Sequence, residues 1–243
     1  MTLDSLTNTT STPTSTPTDF ILVARDLHKS FGKTPALTGA DLSVAAGEIV
    51  AVMGPSGSGK STLLHCLAGV LRPDRGEVWF DGHRVDEMKD SARTELRRCS
   101  FGFVFQFGQL VPELSAEENI ALPLILGGTR RAPAVRAARQ WLTRLGLEGL
   151  GERRSGELSG GQAQRVALAR GLITAPKVLF ADEPTGSLDS LTGVHVMDLL
   201  VETAKAEGTT VVLVTHEPRV AAYADREVVV RDGKVTASQP ELV

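Results

Sequence analysis

The 243-residue chain carries 26 Lys and Arg against 29 Asp and Glu, with 42% hydrophobic and 23% charged residues. That length and balance suit a folded protein with a substantial core, and a formal net charge of -3 argues against the basic face of a nucleic-acid binder. No run reaches the roughly 18 apolar residues that a membrane-crossing helix needs; residues 120–126 come nearest and are interrupted by Pro123.

Residues 1–18 are almost entirely Thr, Ser and Pro, too poor in apolar side chains to repay the entropy of ordering, and they read as a disordered tail ahead of one domain spanning 19–243. They also lack the basic segment and apolar core of a secretory signal, so a cytoplasmic location is expected. With no CxxC and no Cys/His cluster, Cys66 and Cys99 read as small core residues.

From Phe20 the pattern changes to β-branched runs, beginning with FILVARDL, and then alternates between strands and helices, the rhythm of an α/β domain. Residues 48–53 (EIVAVM) form a buried-type strand, and a helix is predicted over 60–68. Between them lies Gly54-Pro55-Ser56-Gly57-Ser58-Gly59-Lys60-Ser61, a full GxxxxGK[ST] phosphate loop in its required strand-to-helix context. Its glycines let backbone N–H groups and a helix N-terminus face an anion. Lys60 is then placed to bridge β- and γ-phosphates, Ser61 to ligate Mg²⁺ and Thr62 to reach the α-phosphate.

Residues 77–80 followed by Asp81-Gly82 read as a hairpin, because both turn residues tolerate positive φ. Residues 101–105 are a further apolar strand with Gln106 at its end. Over 107–172 strand signals vanish and helix signals take over: Ser115 with Glu118 forms a capping box, and 134–145 reads as a helix ending before Gly146. Later in this insertion, Leu158-Ser159-Gly160-Gly161-Gln162 precedes a helix over 165–172, offering a second anion-accepting helix start with a free Ser hydroxyl. One nucleotide does not need two cradles, so this motif is expected to cap a nucleotide held by a second subunit.

Strands resume at 178–181 and 210–215, separated by an amphipathic helix over 194–207. Asp182 and Glu183 stand at the end of the first, where open parallel sheets place their ligands. Asp182 suits holding Mg²⁺ through water, and Glu183 suits activating the attacking water. His216 follows the second strand. A last hairpin, 228–230 with Asp232-Gly233, joins the first in suggesting an antiparallel β element beside a mainly parallel core sheet.

In this order the motifs resemble the ATP-binding-cassette (ABC) family, over nearly everything from Phe20 to Lys234. Gly54 to Ser61 is similar to its Walker A loop, Gln106 to its Q-loop glutamine, a ligand of the metal, and Leu158 to Gln162 to its signature. Asp182 and Glu183 are similar to its Walker B pair, Ser187-Leu188-Asp189 to the D-loop that crosses the dimer interface, and His216 to the switch histidine at the γ-phosphate. The resemblance puts Phe31 under the adenine and implies the P-loop NTPase fold of ABC ATPases, with ATP and Mg²⁺ as cofactors.

It implies two composite sites in a dimer, simplest as a homodimer, and a separate membrane permease that holds the chain on the inner face of the membrane. The apolar side chains of residues 107–123 make that stretch the expected docking surface for the permease, an internal core being the alternative, and charge reversal at Glu117 and Glu118 is the test. The wording FVFQ and GELSGGQAQRVALARG resembles the lipoprotein-release, macrolide-export and cell-division group, which implies export or force transmission. Three rivals are a solute-importer ATPase, a soluble ABC protein acting on DNA or ribosomes, and an interaction protein with an inert ATP site, which intact Lys60, Asp182, Glu183 and His216 oppose. The 98 positions from Lys60 to Leu158 hold no sustained heptads, which disfavours the second.

Overall fold

A computed structural model of the chain describes residues 20–237; residues 1–19, which include the stretch 1–18 expected to be disordered, and residues 238–243 lie outside the described residues. Two long strands come first, β1 (Phe20–Phe31) and β2 (Thr34–Ala45), then β3 (Ile49–Met53), α1 (Lys60–Leu67), β4 (Arg75–Phe80), β5 (His83–Arg84), α2 (Asp90–Ser100) and β6 (Phe101–Phe105). Three helices follow, α3 (Ala116–Leu126), α4 (Arg131–Arg144) and α5 (Gly160–Leu172), with a short 3-10 turn at Ser155–Glu157. The remainder is β7 (Val178–Asp182), α6 (Ser190–Glu207), β8 (Thr210–Val214), α7 (Pro218–Ala221), β9 (Arg226–Arg231) and β10 (Lys234–Ala237).

The strands form an antiparallel sheet in the order β2-β1-β4-β5 and a larger one in the order β10-β9-β3-β8-β7-β6, parallel except for β10. β3, β7 and β8 are near-continuous apolar runs because both faces of the larger sheet are covered. Successive residues feed opposite cores, as the period of two requires. Val50, Val52, Val212 and Val214 pack toward α1 and the smaller sheet, against Leu63, Leu64, Leu22 and Leu42. Ile49, Val211 and Leu213 pack toward α5 and α6, against Leu168, Leu172, Met197 and Leu200.

Both hairpin turns are present, with Asp81 and Gly82 at φ 48 and 75 and Asp232 and Gly233 at φ 49 and 74. Only the first belongs to the antiparallel sheet. The second, β9 with β10, is an edge of the core sheet, because β9 pairs in parallel with β3. Local turn chemistry specifies a hairpin without specifying which sheet receives it.

The helical segment has a core of its own, built on Ile120, Ala134, Ala138, Leu142 and Val166. The Ser115 hydroxyl accepts the Glu118 N–H while the Glu118 carboxylate accepts the Ser115 N–H, the predicted capping box. Asn119 is fully buried beneath it, with its amide bonded to Val111, Leu114 and Ser115 backbone groups. Glu117 pairs with Arg139 at 2.7 Å and Glu118 pairs with Arg131. Charge reversal at these two acids would therefore loosen α3 from α4 instead of reporting on a docked partner.

The cysteines divide. Cys66 is buried, and its thiol is pushed up to about 12 by desolvation. Cys99, expected in the core, is exposed near the end of α2, a helix with no buried residue.

Candidate nucleotide site

The register of the core sheet assembles the site. Val52 pairs with Val214, Val214 with Asp182, and Asp182 with Phe105, so β3, β8, β7 and β6 end on one row. Just past that row come the loop 54–59 after β3, Thr215 and His216 after β8, Glu183 after β7 and Gln106 after β6. All four segments leave the carboxyl edge together, where parallel sheets bind ligands.

The loop after β3 is wedged by its glycines. Gly54 has φ 144 and Gly59 φ 106; a Cβ there would stand 2.2 Å from the Val230 carbonyl oxygen and 2.3 Å from the Ala36 one. Alanine at either position is blocked by backbone on the far side. Gly59 is also the N-cap of α1, which has no side-chain cap and no acid in its first turn, leaving its N–H groups for an external acceptor. Lys60 is buried, and its Nζ donates to the carbonyls of Gly54 at 2.8 Å and Pro55 at 2.9 Å. Beside it the Ser58 hydroxyl is buried with no protein partner.

These residues open on a cleft of about 580 Å³ that takes in Phe31, Ser56, Gly57, Ser61 and Thr62 from the loop side and Asp182, Glu183 and His216 from the sheet edge. Phe31 is 53% exposed at the end of β1, a flat apolar face at the rim suited to stacking. The Ser61 hydroxyl lies 3.4 Å from the nearer Asp182 carboxylate oxygen. Two hard oxygen donors side by side, beneath a loop of N–H groups and a lysine, fit the chemistry of Mg²⁺ and a polyphosphate.

Glu183 is held from three directions. Its backbone is left-handed at φ 48, a conformation costing about 1 kcal/mol or more for a non-glycine residue. Its N–H donates to the Val214 carbonyl at 2.9 Å. One carboxylate oxygen meets His216 Nδ1 at 2.7 Å, and the other meets the Thr215 hydroxyl at 3.5 Å. Thr215 carries no motif signal of its own; only its position beside His216 could have singled it out.

The hydrogen bond and the negative charge of Glu183 raise the pKa of His216. A pKa raised on folding contributes stability that is fully present below the unfolded histidine value, about 6.5, and is lost as pH rises through the folded value. We expect a nuclear magnetic resonance titration to place His216 above an ordinary histidine in the wild type and back toward it in Glu183→Gln. Equal midpoints in the two proteins would show that the pair is not formed in solution.

The remaining expected residues lie outside this cleft. The Gln106 side chain packs on Gly186, and its carbonyl accepts the Ser187 hydroxyl at 2.7 Å. Ser159 caps α5, which starts at Gly160 and not at 165; its hydroxyl, expected to be free, accepts the Gln162 N–H at 3.3 Å and keeps its own hydrogen to donate. Gly160 packs near Leu188, while a Cβ on buried Gly161 would meet Thr192 at 2.3 Å. Asp189 caps α6, and the Thr192 hydrogen bonds hold its carboxyl below the usual aspartate range. Among the described residues, the phosphate cleft and the helix start at Ser159 are thus separate, with none of residues 159–162 lining the cleft.

A phosphate loop, a hydroxyl and carboxylate for a divalent cation, and a strand-end glutamate held by a histidine together define a P-loop nucleoside triphosphatase. Residues 37–186 match the ABC transporter family model. The chain is 44% identical over 221 residues, covering 89% of it and 98% of the relative, to the lipoprotein-releasing system ATP-binding protein LolD of Geobacter metallireducens. It is 46% identical over 204 residues to the probable syringafactin export ATP-binding/permease protein SyfD of Pseudomonas syringae, matching 84% of this chain and 31% of that one. The dimeric post-hydrolysis structure of the ATP-binding cassette MJ0796 bound to ADP and Pi superposes with a TM-score of 0.81 at 37% identity, over 90% of this chain and 99% of that one.

The chain belongs to the ABC transporter family. It is an ATP-binding and ATP-hydrolysing subunit, with ATP and Mg²⁺ as cofactors. Among the described residues no helix is long and apolar enough to cross a membrane.

Proposed function

We infer that this ATPase drives release of lipid-anchored proteins from the membrane, seated on the inner face of the cell membrane through its permease. The observation that carries this reading is the 44% identity to a lipoprotein-releasing ATPase over 98% of that relative's length. The match to an export ATP-binding/permease protein supports the outward direction of work.

In the proposed cycle the loop 54–59 and Lys60 hold the triphosphate, Thr62 reaches its α-phosphate and Phe31 stacks on the base. Ser61 and Asp182 would hold Mg²⁺, which when bound neutralises charge on the transferring phosphoryl group. Gln106 is assigned as a further ligand, and its present place on Gly186 requires it to move with the loop after β6. Glu183 takes a proton from the attacking water. His216 keeps that carboxylate oriented, and its other nitrogen is available to the γ-phosphate. Ser159, Gly160, Gly161 and Gln162 serve the partner's nucleotide, with Asp189 beside them at the interface.

Docking is assigned to a groove of about 560 Å³ that the 107–123 stretch shares with α2 and β6. Gln109, Leu122 and Pro123 contribute to it from that stretch.

The test is reconstitution of this ATPase with the permease that copurifies with it, in vesicles carrying a triacylated lipoprotein. ATP-dependent extraction of the lipoprotein, abolished by Lys60→Ala, is the expected result. ATP turnover stimulated by a small solute and indifferent to the lipoprotein would overturn the reading in favour of solute import.

A further inference from the structure

The two Asp-Gly hairpin turns have nearly the same backbone, yet their surroundings differ. Gly82 and Gly233 stand at φ 75 and 74, behind Asp81 and Asp232 at φ 48 and 49. A Cβ on exposed Gly82 would meet no atom within 4 Å, so turn chemistry alone accounts for glycine there. Gly233 is buried, and a Cβ on it would stand 2.8 Å from the Ala36 carbonyl oxygen and 2.9 Å from the Leu37 Cα. At this second tip the glycine is required by a close approach as well as by the turn.

The tip approaches the nucleotide cleft from behind. The Gly233 N–H donates to the Ser58 carbonyl in the phosphate loop at 3.1 Å, and the Gly233 carbonyl accepts the Thr38 N–H at 2.9 Å. The Thr38 hydroxyl adds a bond to the Asp232 carbonyl at 2.8 Å. Inside the loop the Ser58 N–H donates to the Pro55 carbonyl at 3.3 Å, and that carbonyl also accepts Lys60 Nζ. A chain of hydrogen bonds therefore runs from β2 through the turn and the loop to Lys60. The loop leans on the same hairpin at its start, where Gly54 abuts the Val230 carbonyl. On the other side, β2 contributes Ala36 to the cleft and pairs through Thr34 with Phe31. Neither Thr38 nor Gly233 lines the cleft itself.

Glycines 54, 57 and 59 give the loop more backbone freedom than other residues would, whereas an anion is held best by N–H groups that already converge. We propose that the Asp232-Gly233 turn is a positioning element for nucleotide binding. It fixes the phosphate loop and β2 relative to each other before ATP arrives, so that the N–H groups for the triphosphate and the Phe31 face for the base are in place together. Gly233 and Thr38 are positioning residues, acting through Ser58 and β2. The inference rests on the assignment of residues 54–59 to the triphosphate given above.

The test is steady-state turnover of the full-length ATPase with its copurifying permease over a range of Mg-ATP concentrations, with a thermal melt of each variant. Gly233→Ala is expected to raise KM about tenfold and to leave kcat within about twofold of the wild type, the pattern of binding lost equally from ground and transition states. Gly82→Ala, with the same backbone strain and no clash, is expected to keep the wild-type KM. Thr38→Val removes only the hydroxyl bond and is expected to raise KM about threefold, while Thr38→Ser keeps that bond and restores the wild-type value. The Thr38 pair decides the matter if Gly233→Ala does not fold. A fall in kcat that follows the melting temperature at unchanged KM, or a Thr38→Val KM equal to that of Thr38→Ser, overturns the positioning role. Lys60→Ala separates the proposal from its premise. If that variant binds Mg-ATP as the wild type does, the assignment of residues 54–59 falls and the proposal with it. If it loses binding while Gly233→Ala and Thr38→Val keep the wild-type KM, the positioning role alone falls.

Discussion

Glu183→Gln is expected to lower ATP turnover by about 10²–10⁴-fold while nucleotide binding persists. The substitution is isosteric, and the amide oxygen can still accept from His216 Nδ1, so the 2.7 Å contact and the left-handed turn at Glu183 need not rearrange. What disappears is the negative charge that takes a proton from water. Lys60→Ala acts differently, since it removes the buried cation that the loop carbonyls of Gly54 and Pro55 hold in place, and it should abolish binding.

Because the signature motif lies outside the cleft, the stalled Glu183→Gln protein should accumulate as a dimer closed on two nucleotides. Phosphate release measures the first effect, and light scattering in saturating Mg-ATP measures the second. Unchanged turnover would place the base elsewhere. A persistent monomer would contradict sites shared between subunits.

The nucleotide cleft was legible in the sequence because its chemistry is local. A glycine loop between an apolar strand and a helix, and an acid pair closing another strand, advertise themselves within a few residues. The strands β3, β6, β7 and β8 were equally plain, since each is a short apolar run buried on both faces.

What stayed hidden depends on distant partners. β2 reads TPALTGADLSVA, with Pro, Gly and Asp scattered through it, and it becomes a strand by pairing with β1 over its whole length. α2 went unread because none of its residues is buried, leaving no apolar face to betray it. Gln164, only 2% exposed, bonds the Phe105 carbonyl across 59 residues, a contact without a motif. The inward commitments of Glu117 and Glu118 were invisible for the same reason: Arg139 and Arg131 sit on the next helix.

Gly102→Ala is expected to destabilise the protein by about 3 kcal/mol. Gly102 lies in β6 where α5 crosses it at Gly171, and a Cβ there would stand 2.1 Å from the Gly171 carbonyl oxygen and 2.9 Å from Leu179. The obstacle is backbone on one side and a fully buried leucine on the other, so neither can rotate away. Helix and strand must separate, and with them go the Gln164 bond to Phe105 and the Arg170 bonds to Gly108 and Gln109. Those bonds link the helix that begins at the signature motif to the strand that ends at Gln106. The melting temperature should therefore fall by roughly 10 °C, and turnover should drop with it although no cleft residue has changed. Gly156→Ala is the control: a Cβ there meets no atom within 4 Å, and the change is expected to stay within about 0.5 kcal/mol of the wild type. If Gly102→Ala melts with that control, α5 is not pressed on β6 as the two facing glycines require, and the signature helix is free to move without the core sheet.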